Sequence, residues 1–108
     1  MDNKTKEINF KDHQIQLVMD RYTYNDNLYI GLICEEGPFS DLTKNTDTVL
    51  PENEAAIDVN NFSEAREFIE MNNLGQNTGK VIHSGYCTYP VYKFDIHECK
   101  KYEWIDEA

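Results

Sequence analysis

The sequence predicts an α+β fold, an antiparallel β-sheet with one main helix packed on one face. Three observations carry that expectation. Two β-rich runs flank a turn between residues 13 and 35, one apolar stripe at helical spacing spans residues 62–74, and further strand-like runs follow from residue 80. Strands, then a helix, then strands is the order that lays a helix on an antiparallel sheet.

The first run reads HQIQLVMDRYTY, His13 to Tyr24. Ile15, Leu17 and Met19 alternate with polar neighbours, and only Val18 breaks the period of two. Asn25-Asp26-Asn27 supplies a turn, because Asn and Asp tolerate left-handed backbone and bond locally. Leu28–Glu35 is β-rich and nearly all apolar, so the two runs form a hairpin. Glu36-Gly37-Pro38 is a second turn, and Phe39–Thr46 is a third strand. Asn45–Glu54 is a loop pinned by Val49 and Leu50, and Ala55–Val59 is a short strand.

The helix begins at Asn61, with Glu64 three residues on at capping-box spacing. Phe62, Ala65, Phe68, Ile69 and Leu74 form its apolar stripe, and Glu64, Glu67 and Glu70 project outward. Gly75 ends it in the left-handed position. Gln76–Gly79 is a tight loop. Lys80–Gly85 and Tyr86–Ile96 are strands interrupted at Pro90, which cannot donate to a ladder and so marks an edge or a bulge. The tail, residues 97–108, packs through Trp104. All of this is one domain, residues 1–108, with frayed ends at 1–6 and 106–108.

Composition limits the function classes. Twenty acidic against ten basic residues give a formal net charge of −10. Such a surface disfavours direct nucleic-acid binding and anionic membranes, and suits a basic protein partner. The N-terminus lacks a signal-peptide pattern, and no apolar run has the roughly 18 residues that span a bilayer. Cys34, Cys87 and Cys99 are an odd set without paired spacing, which argues for a reducing, cytoplasmic setting.

Catalytic and metal motifs are weak. His97 and Cys99 would share a strand face, but two ligands do not make a zinc site, so no metal and no cofactor is expected. Cys87 and His83 lie roughly 13 Å apart at strand rise, too far for a thiol and its base. The run from Gly75 to Lys80 lacks the spacing and context of a phosphate loop. The tyrosines Tyr22, Tyr24, Tyr29, Tyr86, Tyr89 and Tyr92 have little Lys or Arg beside them, so cross-strand pairing explains them better than base stacking. Some can still anchor a protein interface. Glu64, Glu67 and Glu70, with Glu35, Glu36, Asp41, Asp47, Glu52, Glu54 and Asp58, are rows of carboxylates able to imitate the phosphates of a duplex. A solvated face is the simpler reading of each.

Three pieces carry a resemblance: GPFSDLTKN (Gly37–Asn45), DVNNF (Asp58–Phe62) and NNLGQNTGKVIHSGYCTYPVYKFD (Asn72–Asp95). In this order they resemble an uncharacterised domain-of-unknown-function family of small proteins on plasmids and conjugative elements of gut bacteria. The resemblance covers Tyr22 to Asp95. It implies no activity and no catalytic residues, but a setting on mobile elements suggests an accessory role against host defence.

The expected function is therefore non-enzymatic: binding and inhibition of a host defence nuclease, of anti-CRISPR or antirestriction type, by acidic mimicry of nucleic acid. The candidate partner-binding residues are Glu35, Glu36, Asp41, Glu64, Glu67, Glu70, Tyr89 and Tyr92. Two alternatives stand beside it. One is a structural or regulatory protein-binding domain without a nuclease target, with an edge strand through which it could form a homodimer. The other is a thiol enzyme using Cys87.

Overall fold

The structure is a computed structural model that describes residues 5–105. The chain builds two four-stranded antiparallel sheets and two short helices. The first sheet holds β1 (Ile8–Phe10), β2 (His13–Arg21), β3 (Leu28–Cys34) and β4 (Gly37–Asp41), in that spatial order. The second holds β5 (Thr43–Lys44), β6 (Glu54–Ile57), β7 (Gly75–Ser84) and β8 (Cys87–Phe94), in the order β5-β6-β8-β7. The helices are α1 (Ala65–Met71) and α2 (Ile96–Lys100). The expectation of a single sheet is thus corrected to two, with α1 short against the strands.

The division into two sheets happens at Leu42. A strand running on from residue 39 to 46 would keep one sheet, but the chain bends here. The Leu42 N–H donates to Ile30 O (2.9 Å) in the first sheet, and its carbonyl accepts from Asp58 N (3.1 Å) beyond β6. The next residue helps, since Thr43 Oγ1 accepts from Ile30 N at 3.1 Å. Corner residues that change sheets in this way are common in packed β-structures.

One core fills the space between the sheets. Ile8, Phe10, Ile15, Leu17, Leu28, Ile30 and Leu32 come from the first sheet, and Ala55, Ile57, Tyr92 and Phe94 from the second. Phe62, Ala65, Phe68 and Ile69 from the α1 region and Cys99 from α2 complete it. The stripe expected for the helix is therefore buried as a set, Leu74 included. Phe10 meets Phe68 edge-on at 5.3 Å and Phe62 at 6.0 Å, an arrangement favoured by the ring quadrupoles. Phe10 lies on β1, which the sequence reading missed. Its turn, Lys11-Asp12, has positive φ at both residues (50° and 66°) without the glycine that usually signals such a hairpin.

The cap of α1 differs from the expected box. Asn61 is not the cap: its side chain donates to Asp58 Oδ2 (3.0 Å), and Glu64 takes the N-cap position without a side-chain cap bond. The helix ends at Met71, and its left-handed residue lies two positions before Gly75. Asn73 is left-handed (φ 56°), Leu74 N donates to Ile69 O and Asn73 N to Glu70 O, which is the Schellman pattern. Gly75 instead opens β7, where a Cβ would lie 2.7 Å from Lys93 O. The tight loop expected over 76–79 is part of β7, a bulge between Asn77 and Val81. There Asn77 Oδ1 accepts from Gly79 N, and Thr78 Oγ1 donates across to Val91 O.

Pro90 lies opposite Val81, so the bulge is on its neighbour β7, and β6 pairs with β8 only as far as Val91, so the proline sits where β8 has no ladder partner on the β6 side. The tail packs through Cys99 and Tyr102 while Trp104 stays exposed. Leu17 N donates to Tyr102 O (2.8 Å) and Trp104 N to Leu17 O (2.7 Å), so the tail extends the first sheet along β2 beyond β1. Lys6, expected to fray, donates to Lys101 O at 2.8 Å, and Thr5 donates to Glu103 O. The other residues of the expected frayed ends, 1–4 and 106–108, lie outside the described residues.

Candidate functional site

The candidate partner residues fall into three groups once folded. Glu35 and Glu36 form the two-residue turn between β3 and β4, where Cys34 pairs with Gly37. Glu64, Glu67 and Glu70 sit at the start of α1 and along it. Asp41 ends β4 beside Tyr29, and Tyr89 and Tyr92 lie on β8.

The fold brings the first two groups together through the β1–β2 turn. Lys11 pairs with Glu64, while His13 Nδ1 lies 3.0 Å from Glu35 Oε1 and 3.9 Å from Glu36 Oε1. Glu35 and Glu36 at His13 and Glu64 at Lys11 thus flank the β1–β2 turn as an acidic rim, and Glu67 follows Glu64 three residues along α1. Glu67 forms no ion pair among the described residues. Glu35 also accepts from Gln14 N at 3.0 Å. This bond first, and the one from His13, hold the Glu35 carboxyl below its ordinary value, so it stays charged.

The expected tyrosine anchors are not exposed. Tyr92 is fully buried and Tyr89 nearly so, because β8 is an inner strand covered on both faces. Tyr92 points into the main core. Tyr89 points to the other face, with Ala56, Ile82 and Val91 and the partly buried Leu50 and Cys87. The Tyr92 hydroxyl donates to Glu70 and accepts from Arg66 Nε (3.2 Å), which ties α1 to the second sheet. Burial, then the bond to Glu70, raises the Tyr92 pKa. Glu70 and Tyr92 are thereby explained as architecture. Asp41 is similarly engaged, accepting from Tyr29 Oη at 2.7 Å. Burial first pushes the Tyr29 hydroxyl up to about 12. The exposed tyrosines are Tyr24 and Tyr86, while Tyr22, Tyr29 and Tyr102 are half-buried.

The thiol candidates separate. His97 is exposed and Cys99 buried, since this stretch is helical and not a strand. Burial pushes the Cys99 thiol up to about 12. A hairpin turn lies between His83 and Cys87. The His83 ring bonds Thr88 Oγ1 (3.0 Å), and Cys87 packs against the small cluster that holds Tyr89. A different trio meets: His13, Cys34 and Glu35 each bring one ligand atom within 4.8 Å of the others. Sequence spacing hides it, because two separate turns create it.

Among the described residues no helix is long and apolar enough to cross a membrane. No curated protein and no solved structure matches the chain. The family model described as Domain of unknown function (DUF4313) matches residues 16–107, nearly all of the strands, both helices and the acidic rim, and the chain belongs to that family.

Proposed function

We propose that this domain is a non-enzymatic accessory protein that binds a basic, nucleic-acid-handling protein. In its sharpest form it inhibits a bacterial defence nuclease, of CRISPR or restriction type, by occupying the nucleic-acid groove with carboxylates in place of phosphates. A setting on plasmids and conjugative elements and a cytoplasmic location go with this reading. The observation that carries it is the acidic rim of Glu35, Glu36, Glu64 and Glu67 on a chain of net charge −10. Fields of opposite sign raise association rates and make the complex sensitive to salt. Glu67, which forms no ion pair among the described residues, and Glu36, whose contact to His13 is long at 3.9 Å, are the best-placed contacts; the other candidates make closer contacts within the molecule.

The test is to mix the purified protein with a panel of defence nucleases at rising salt. The expected result is a complex that weakens with salt and with Glu36→Lys plus Glu67→Lys. Absence of any salt-sensitive complex across the panel overturns the proposal.

A second reading has its own support. β7 is a ten-residue edge strand, so a regulatory domain dimerising along it is a coherent alternative. Against it, the β7 bulge and the exposed Lys80 are features that discourage edge pairing. A concentration-independent monomer mass by light scattering removes this reading.

A further inference from the structure

We propose that His13, Cys34 and Glu35 form a binding site for a zinc-type divalent cation, with Glu36 at hand as a fourth ligand. Imidazole, thiolate and carboxylate together suit zinc, whereas calcium and magnesium take oxygen alone. The ligand atoms already lie within 4.8 Å of one another. Ligands around tetrahedral zinc stand about 3.3–3.8 Å apart, as bond lengths of about 2.0–2.3 Å require. Closing the site therefore takes side-chain shifts of about 1 Å and no backbone rearrangement.

The backbone that holds these groups is well constrained. His13 follows a two-residue turn in which Phe10 pairs with His13, and Cys34 precedes another in which it pairs with Gly37. Both turns depend on positive φ, at Lys11, Asp12 and Gly37 (φ 116°). They lie side by side because β2 and β3 are paired. The His13 ring rests on Phe39 with centroids 5.3 Å apart, which limits its rotation. Gln14 N holds one Glu35 oxygen and leaves the other facing His13 Nδ1. Cys34 is a free, half-buried thiol packed against the main core. Three protein ligands leave a position for Glu36 or for an outside group, and Glu36 Oε1 is 3.9 Å from His13 Nδ1. A bound cation would fasten the β1–β2 turn to the β3–β4 turn and lower the negative charge of the rim. The inference is independent of what the rim binds.

The experiment uses the full chain, reduced and stripped with a chelator, titrated with Zn²⁺ and separately with Co²⁺. One Zn²⁺ per chain, a rise in melting temperature reversed by chelator, and a thiolate-to-cobalt charge-transfer band are expected. Cys34→Ser should remove the band, and Cys34→Ser and His13→Ala should each weaken Zn²⁺ by more than about tenfold, the low end of what even an outer-sphere change costs. Cys87→Ser should leave both unchanged. In the unaltered protein, Zn²⁺ should slow alkylation of Cys34 and leave that of Cys87 as it was, a readout that does not depend on any variant folding. Failure to bind one Zn²⁺ per chain, equal binding by Cys34→Ser, or unprotected Cys34 overturns the site.

Discussion

The two long hairpins of this domain have opposite designs. In the β2–β3 hairpin the connecting loop is fastened down. Tyr22 N donates to Asn27 O, and the buried Asn27 side chain donates to Thr48 O (2.9 Å) and accepts from Leu50 N (3.0 Å). In the β7–β8 hairpin the base is buried and the tip is bare. Tyr92 and Phe94 lie in the main core, whereas Ser84, Gly85 and Tyr86 at the turn are exposed. The first hairpin is anchored along its whole length by one strict face, Ile15, Leu17, Ile30 and Leu32. The second is anchored at its foot, with only the small cluster around Ile82 and Tyr89 further out. The contrast teaches that the longer strands do not make the larger contribution to stability.

Substitutions sharpen this contrast in graded steps. Ile30→Ala in the first hairpin should cost about 3–5 kcal/mol, since it empties a fully buried site, and Ile82→Ala in the second about 2 kcal/mol, since its cluster borders solvent and can relax. Urea melts measure both, and equal losses would break the comparison. At the foot of the second hairpin, Gly75→Ala drives a Cβ against the Lys93 carbonyl and should cost about 1–3 kcal/mol. A Gly75→Ala protein as stable as the parent would show that the foot can shift.

Under that foot, the Cys99 thiol sits 3.5 Å from Leu74 O, with a pKa raised from 9.0 to about 12, chiefly by burial. The folded state therefore holds this proton more tightly than the unfolded chain does. That contribution is complete below pH 9.0 and is lost as pH rises toward about 12. Stability curves of the parent and of Cys99→Ala should converge through this alkaline window; a constant gap would refute the assignment. The smallest effect belongs to the tip, where Tyr86→Ser should change stability by less than about 0.5 kcal/mol. A larger change in thermal melts would mean that the tip has a contact in solution.

The legible parts of the fold were those written in local periodicity. Ile15, Leu17 and Met19 foretold β2, and Val18 broke the pattern because it lies on the outward face beside Tyr29 and Gly31. Phe62, Ala65, Phe68 and Ile69 foretold the buried side of α1. β1 was hidden because three residues carry no period and its turn carries no glycine. The bulge in β7 read as a loop because Asn77, Thr78 and Gly79 are turn residues in both settings. The site was less legible. Tyr89 and Tyr92 look alike in sequence and face opposite sides of one inner strand. His13 and Cys34 meet only through the register of β2 on β3, which no spacing rule contains.

The tail's pairing with Leu17 bears on how the chain is made. Strands β1 to β4 leave the ribosome early and can zip by local contacts, but the free side of β2 at Leu17 waits for Tyr102 and Trp104. Until those residues emerge, the nascent first sheet keeps an open, apolar-backed edge. Residues 102–104 thus close a seam begun about 85 residues earlier at Leu17, and a ribosome stalled short of residue 102 would hold a sheet ready to pair with the wrong strand.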